Sequence, residues 1–143
     1  MRLMTNDGRQ IMVDSAKVVL ILDADDAACN LYRRELARTY QVITCCTEHG
    51  AWEMLNKQQV DAIVLEPIAL GDDDWNFVVR LHTDEHYAHI PIIICSTMDA
   101  RRRGANMGVN AYLIKPASPQ TVAAAVATAL SSAPVAVNPV RSS

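Results

Sequence analysis

Five short apolar runs, each followed by a segment of helical periodicity, constrain this chain more than any other feature. KVVLILD (17–23), QVITC (41–45), DAIVLE (61–66), IPIIICS (90–96) and AYLI (111–114) are near-continuous and rich in β-branched residues, as strands buried on both faces are. Between them, AACNLYRRELART places Ala28, Leu31, Tyr32 and Leu36 on one helical face, with Arg33 and Arg34 off it. HGAWEMLNKQQ repeats apolar residues at helical spacing through Trp52, Met54 and Leu55. WNFVVRLHTDE (75–85) reads as a helix introduced by an acidic first turn, which suits the helix dipole. DARRRGANMG allows only a short helix, weakened by Gly104. SPQTVAAAVATALSS closes the series, with Ser118 as N-cap and Pro119 at the first helical position. Apolar strands alternating with amphipathic helices predict an α/β fold, a doubly wound five-stranded parallel sheet covered on both faces.

A chain of 143 residues fits one domain with a proper core. The alternating pattern occupies residues 16–131. Residues 1–15 form an N-terminal extension in which Asp7-Gly8 lies between apolar flanks, a small hairpin or a disordered leader. Residues 132–143, with Pro134 and Pro139 and no acid, read as a flexible tail or linker. A net charge of −3 gives no general reason to bind nucleic acid or an anionic membrane. No segment is apolar enough for a signal peptide or a membrane span, so a soluble cytoplasmic protein is expected. Cys29, Cys45, Cys46 and Cys95 lack metal-type spacing and read as reduced thiols.

In a parallel sheet of this kind, functional side chains gather at the carboxyl ends of the strands. Here Asp23, Glu66, Ser96 and Lys115 end the first, third, fourth and fifth runs. Two acids, a hydroxyl and an amine thus meet at one edge. Asp26 and Asp72 to Asp74 read as acids that cap free N–H groups where helices start. Capping does not account for Glu66 and Lys115 closing two different strands.

On these residues the chain resembles the receiver domain of two-component response regulators, over residues 17 to about 131. VVLILDADD, DAIVLEP…G, IPIIICST and GVNAYLIKPASP match in order and spacing. The resemblance implies the (βα)5 flavodoxin-like receiver fold. It also implies that two adjacent acids after the first strand hold Mg²⁺ and that an aspartate ending the third accepts phosphate. A Ser/Thr on the fourth strand and a Lys before a proline on the fifth then read that phosphate. Ser96 and Lys115 match these two, Tyr112 matches the aromatic switch position, and Lys115-Pro116 matches the family's cis peptide bond. The implied pocket is Asp23, Ala24, Asp25, Ser96 and Lys115 around Glu66.

Two positions depart from the family pattern. Glu66 stands where the phosphoacceptor aspartate belongs, and Ala24 replaces the second acid of the metal pair. Shifting the alignment to pair Asp25 with Asp26 breaks the helical phase of Leu31, Tyr32 and Leu36. Magnesium demands near-ideal octahedral oxygen ligation, so the residual position at Asp23 and Glu66 is expected to bind it weakly or not at all; no other cofactor is expected. Glutamate carries its carboxylate one methylene further out, about 1.5 Å by ordinary bond lengths. A misplacement of about 1 Å can slow a reaction ~100-fold, which makes phosphoryl transfer onto Glu66 poor. The same reach brings a fixed negative charge toward Lys115 and Ser96. Glu66 then either imitates the phosphorylated state or merely neutralises Lys115.

The function expected from this is an atypical stand-alone receiver, not an enzyme, acting through phosphorylation-independent contact with another signalling protein: a kinase, an output protein or a regulator. The surface of the fourth helix, fifth strand and fifth helix, where receivers commonly dimerise, carries Arg101, Arg102 and Arg103, which read as a solvated face. The alternative is a receiver still phosphorylated by a histidine kinase or phosphorelay partner, on Glu66 or on Asp23. A Mg²⁺-dependent phosphatase of the haloacid-dehalogenase type, suggested by LILDAD, lacks the acids it needs after Lys115, since Pro116 to Ser143 contains none. A flavin site lacks Gly, Ser or Thr donors in the DADDAA loop. His82 and His86 have ligand spacing, and His89 is near, but a solvated stretch explains them as well.

Overall fold

The structure, a computed structural model, describes residues 2–4, 10–12, 16–67 and 75–132. Five strands form the central sheet: β3 (Val18–Leu22), β4 (Gln41–Cys45), β5 (Ala62–Leu65), β6 (Ile92–Ser96) and β7 (Ala111–Ile114). Their order is β4-β3-β5-β6-β7 and every pairing is parallel. The helices are α1 (Asp26–Leu36), α2 (Glu48–Lys57), α3 (Asn76–Thr83), α4 (Arg101–Asn106) and α5 (Pro119–Ser131). This is the α/β, five-stranded architecture that the alternation predicts. Near the N-terminus β1 (Arg2–Met4) pairs antiparallel with β2 (Gln10–Met12), in the register Leu3 to Ile11. The Asp7-Gly8 turn, the acids Asp72 to Asp74 and the tail from residue 133 lie outside the described residues.

Successive strand residues point to opposite faces, so β3, β5 and β6 feed two apolar layers. Leu20, Leu22, Ile63, Leu65, Ile92 and Ile94 pack with Ala51 and Leu55 of α2 and Phe77 and Leu81 of α3. Val19, Ile21, Val64 and Ile93 pack with Tyr32 and Leu36 of α1 and Val122 and Val126 of α5. Both faces being covered explains why these strands read as unbroken apolar runs rather than as alternating ones.

Three local expectations are corrected. Leu31 of α1 is 46% exposed, while Cys29 is buried in the line with Tyr32 and Leu36. Asp25 caps the helix at its start, and Leu31, a step of about 100° from Tyr32, falls outside the buried line. The first turn of α3 contains no acid; Trp75 occupies its N-cap in the left-handed region, φ 56°, without a side-chain capping bond. Gly104 of α4 is not merely a weak helix former, because a Cβ there would come within 2.8 Å of Tyr112 Cδ2. The glycine makes room for that ring.

The start of α5 follows the sequence. Ser118 Oγ accepts from the N–H of Thr121 at 3.1 Å, and Pro119 opens the helix. Ser118→Ala is expected to lower stability by about 1 kcal/mol, read from the urea midpoint. An unmoved midpoint would mean that the hydroxyl does not cap α5.

Candidate functional site

Backbone pairing carries the sheet one residue beyond its strands and aligns the chemistry at one edge. The N–H of Asp23 donates to the carbonyl of Cys45, that of Glu66 to Leu22, and that of Lys115 to Ser96. Asp23, Glu66 and Ser96 are buried, at 4%, 6% and 1% exposure. Lys115 reaches across them: its Nζ donates to Asp23 Oδ2 at 2.7 Å and lies 3.7 Å from Glu66 Oε2. One amine therefore serves two buried carboxylates. Asp23 Oδ1 accepts from the N–H of Asp25 at 2.9 Å, and Glu66 Oε2 accepts from the N–H of Thr97 at 3.2 Å. Among the described residues no buried side-chain polar atom lacks a partner.

The remaining residues read from the sequence fall around this centre. Ser96 directs its Oγ to the N–H of Met98, 3.1 Å away. Asp25 uses its carboxylate on the N–H groups of Ala27 and Ala28, so it holds the start of α1 beside the pocket. Ala24 brings no donor atom. The Lys115–Pro116 peptide bond is cis. Tyr112 lies half-buried, donating from its hydroxyl to the carbonyl of Met98 at 2.5 Å and accepting from the N–H of Ala100 at 3.1 Å. Sequence reasoning missed the Thr97 amide, which no residue type advertises, although its place directly after Ser96 marks it. It also missed the stack of Trp75 on Tyr112, with ring centroids 6.2 Å apart.

The surroundings tune the titratable groups. Burial alone would lower the Lys115 amine, but the Asp23 hydrogen bond and the charges of Asp23 and Glu66 outweigh it and raise the pKa. Burial, reinforced by Asp23, pushes the Cys29 thiol up to about 11, and burial pushes Cys45 to about 12. Cys95 is raised for the same reason. The signs agree. A buried thiol keeps its proton in the folded chain above pH 9.0, where the unfolded chain releases it, and Lys115 holds its charge beyond the ordinary 10.5. Each contribution is complete below the unfolded value and is lost as pH rises through the folded one. The urea midpoint is therefore expected to fall steadily above pH 9, with a shallower fall in Cys29→Ala. A flat profile to pH 11 would contradict these environments.

The donor set does not fit a divalent cation in the family manner. Asp23 has both oxygens engaged, Glu66 shares Lys115, and the second acid is Ala24. Among the described residues there is no cluster of three or more His, Cys, Asp or Glu side chains suited to a metal, the histidines of α3 and its following turn included. What the edge offers is an amine and an amide N–H converging on one anionic group, a place Glu66 fills.

The parallel five-stranded sheet, with acids, a serine and a lysine at its carboxyl edge, can be set against known proteins. The family described as response regulator receiver domain matches residues 19–127, and the chain belongs to that family. It is thus a receiver of the two-component signalling type. Over 104 residues it is 30% identical to the "Probable transcriptional regulator ycf29" of Cyanophora paradoxa, covering 68% of this chain and 49% of that one. The chain spans about half the length of that relative. The chemotaxis response regulator CheY4 of Vibrio cholerae superposes with a TM-score of 0.70 at 21% identity, covering 81% of this chain and 100% of its own. A CheY-like receiver domain protein of Methanospirillum hungatei gives 0.74 at 17% identity, covering 82% and 96%. These two establish likeness of fold. Among the described residues no helix is long and apolar enough to cross a membrane.

Proposed function

We propose that this receiver works as a binding module in signal transduction without being phosphorylated, Glu66 standing where its relatives carry the phosphorylated aspartate. The observation that carries this reading is the position of Glu66 Oε2, 3.7 Å from Lys115 Nζ and 3.2 Å from the Thr97 N–H. An anion already occupies the donors that would receive phosphoryl oxygens. Ala24 supports the reading independently, because it subtracts a carboxylate from the side of the pocket where the cation would sit. Response regulators work by meeting other signalling proteins, and a kinase, an output protein or a regulator of matching surface is the partner this reading calls for. It assigns no catalysis to the chain.

The test is intact-mass analysis after incubation with Mg²⁺ and a small-molecule phosphodonor such as acetyl phosphate. The expected result is no hydroxylamine-labile phosphoryl adduct. A stoichiometric acyl phosphate on Glu66 or Asp23 would overturn the proposal.

A further inference from the structure

The ring of Tyr112 sits in a slot formed by Gly104 and Trp75, with Arg103 braced against Trp75. Gly104 of α4 forms one wall, since any Cβ there would lie 2.8 Å from Tyr112 Cδ2. Trp75 at the start of α3 forms another, stacked with its plane nearly parallel to the phenol, at 15° and 6.2 Å between centroids. Arg103 of α4 brings its guanidinium carbon 5.1 Å from the centre of the Trp75 ring, which adds a cation–π contact. Trp75 is buried and its backbone is left-handed, a conformation that a bulky side chain keeps only where its surroundings hold it. At the tip of the ring, the Tyr112 hydroxyl holds both Met98 and Ala100. The pocket meets the same loop through the N–H groups of Thr97 and Met98, so Met98 is held by its N–H from the pocket and by its carbonyl from Tyr112.

We propose that Trp75 is a positioning residue for Tyr112: with Gly104 and Arg103 it clamps the phenol inward, fixing the 97–100 loop and the face of α4 independently of the acid pocket. The surface displayed around Met98, Arg101 and Arg102, all exposed, is then set by aromatic packing and not by the charge at Glu66. This extends the phosphorylation-independent reading without resting on it. A receiver phosphorylated after all could still carry the clamp, and an unphosphorylated one could lack it.

The test uses the full chain labelled with 3-fluorotyrosine and followed by ¹⁹F NMR, the four tyrosines being resolved by assigning Tyr112 through Tyr112→Phe. In the parent protein Tyr112 is expected to give one resonance displaced by the indole ring current, with a small solvent isotope shift. Trp75→Leu should remove the ring-current displacement and raise the isotope shift toward that of free fluorotyrosine. Trp75→Phe, which keeps a flat ring, should recover part of both. Arg103→Ala should move Tyr112 in the same direction by a smaller amount. Glu66→Gln should leave the resonance where it was. An unchanged isotope shift in Trp75→Leu overturns the clamp, and so does a Glu66→Gln shift as large as that of Trp75→Leu. Should Trp75→Leu fail to fold, Arg103→Ala decides, because its side chain is exposed and its loss spares the core; an unmoved Tyr112 there also overturns the proposal.

Discussion

Lys115→Ala lowers the stability of the folded chain by about 2 kcal/mol near neutral pH, the largest loss expected from any single change in the pocket. Removing one partner of a buried ion pair leaves a charge uncompensated and typically costs roughly 3–5 kcal/mol. Here the amine serves both Asp23 and Glu66, which favours a large effect. The Lys115 side chain keeps 13% of its exposure, so water can reach the vacated site and moderate the loss. For a domain of this size, about 2 kcal/mol corresponds to a fall of roughly 4–8 °C in melting temperature. Adding Asp23→Asn should return part of the loss, because it removes one of the two orphaned charges. The resulting double-mutant cycle measures the coupling directly. Unchanged melting in Lys115→Ala would mean that the amine does not bridge the two acids.

The second large effect is a gain. Glu66→Asp alone is expected to stay unphosphorylated, whereas Glu66→Asp with Ala24→Asp should acquire Mg²⁺-dependent labelling by a small phosphodonor, ~100-fold or more faster than the single variant, since a bound metal ion contributes several kcal/mol. The shorter side chain withdraws the carboxylate from the Thr97 N–H and from Lys115, freeing those donors for phosphoryl oxygens. Aspartate at position 24 supplies the oxygen ligand and the charge that Mg²⁺ lacks here. Labelling can be followed by intact mass over time. Rescue by Glu66→Asp alone would show that Ala24 is not limiting, and failure of the double variant would point to geometry beyond the two substitutions.

Why so much of the architecture was legible follows from the physics of a sheet covered on both faces. The runs KVVLILD, DAIVLE and IPIIICS contain β3, β5 and β6, in which every residue is buried, because continuous burial leaves a continuous apolar signal. The cap at Ser118 was equally plain, since capping depends on near neighbours in sequence. The α1 stripe was less so: Cys29 and Ala28 are both small and apolar, and residue type alone does not decide which one faces the sheet. Gly104 reads as a helix weakness until Tyr112, eight positions on, is seen to need the space.

The site divides in the same way. Asp23, Glu66, Ser96 and Lys115 were found because a parallel sheet collects its strand ends at one edge. Their pairing was not legible. Lys115 lies nearer Asp23 than Glu66, and the Ser96 hydroxyl turns to Met98, outcomes that depend on differences of about an ångström. The Trp75–Tyr112 stack joins residues far apart in sequence and leaves no periodic trace.

The most direct test of the central claim is a titration of the pocket itself, first with Mg²⁺ and then with Mg²⁺ plus beryllofluoride, a mimic of an acyl phosphate. The amide resonances of Glu66, Thr97 and Lys115 are the readout, since the Thr97 N–H now bonds Glu66. With Glu66 already holding the donors, these resonances should stay in place through both additions. A saturable shift that requires both components would mean that the pocket still assembles around a phosphoryl group, and would contradict the claim.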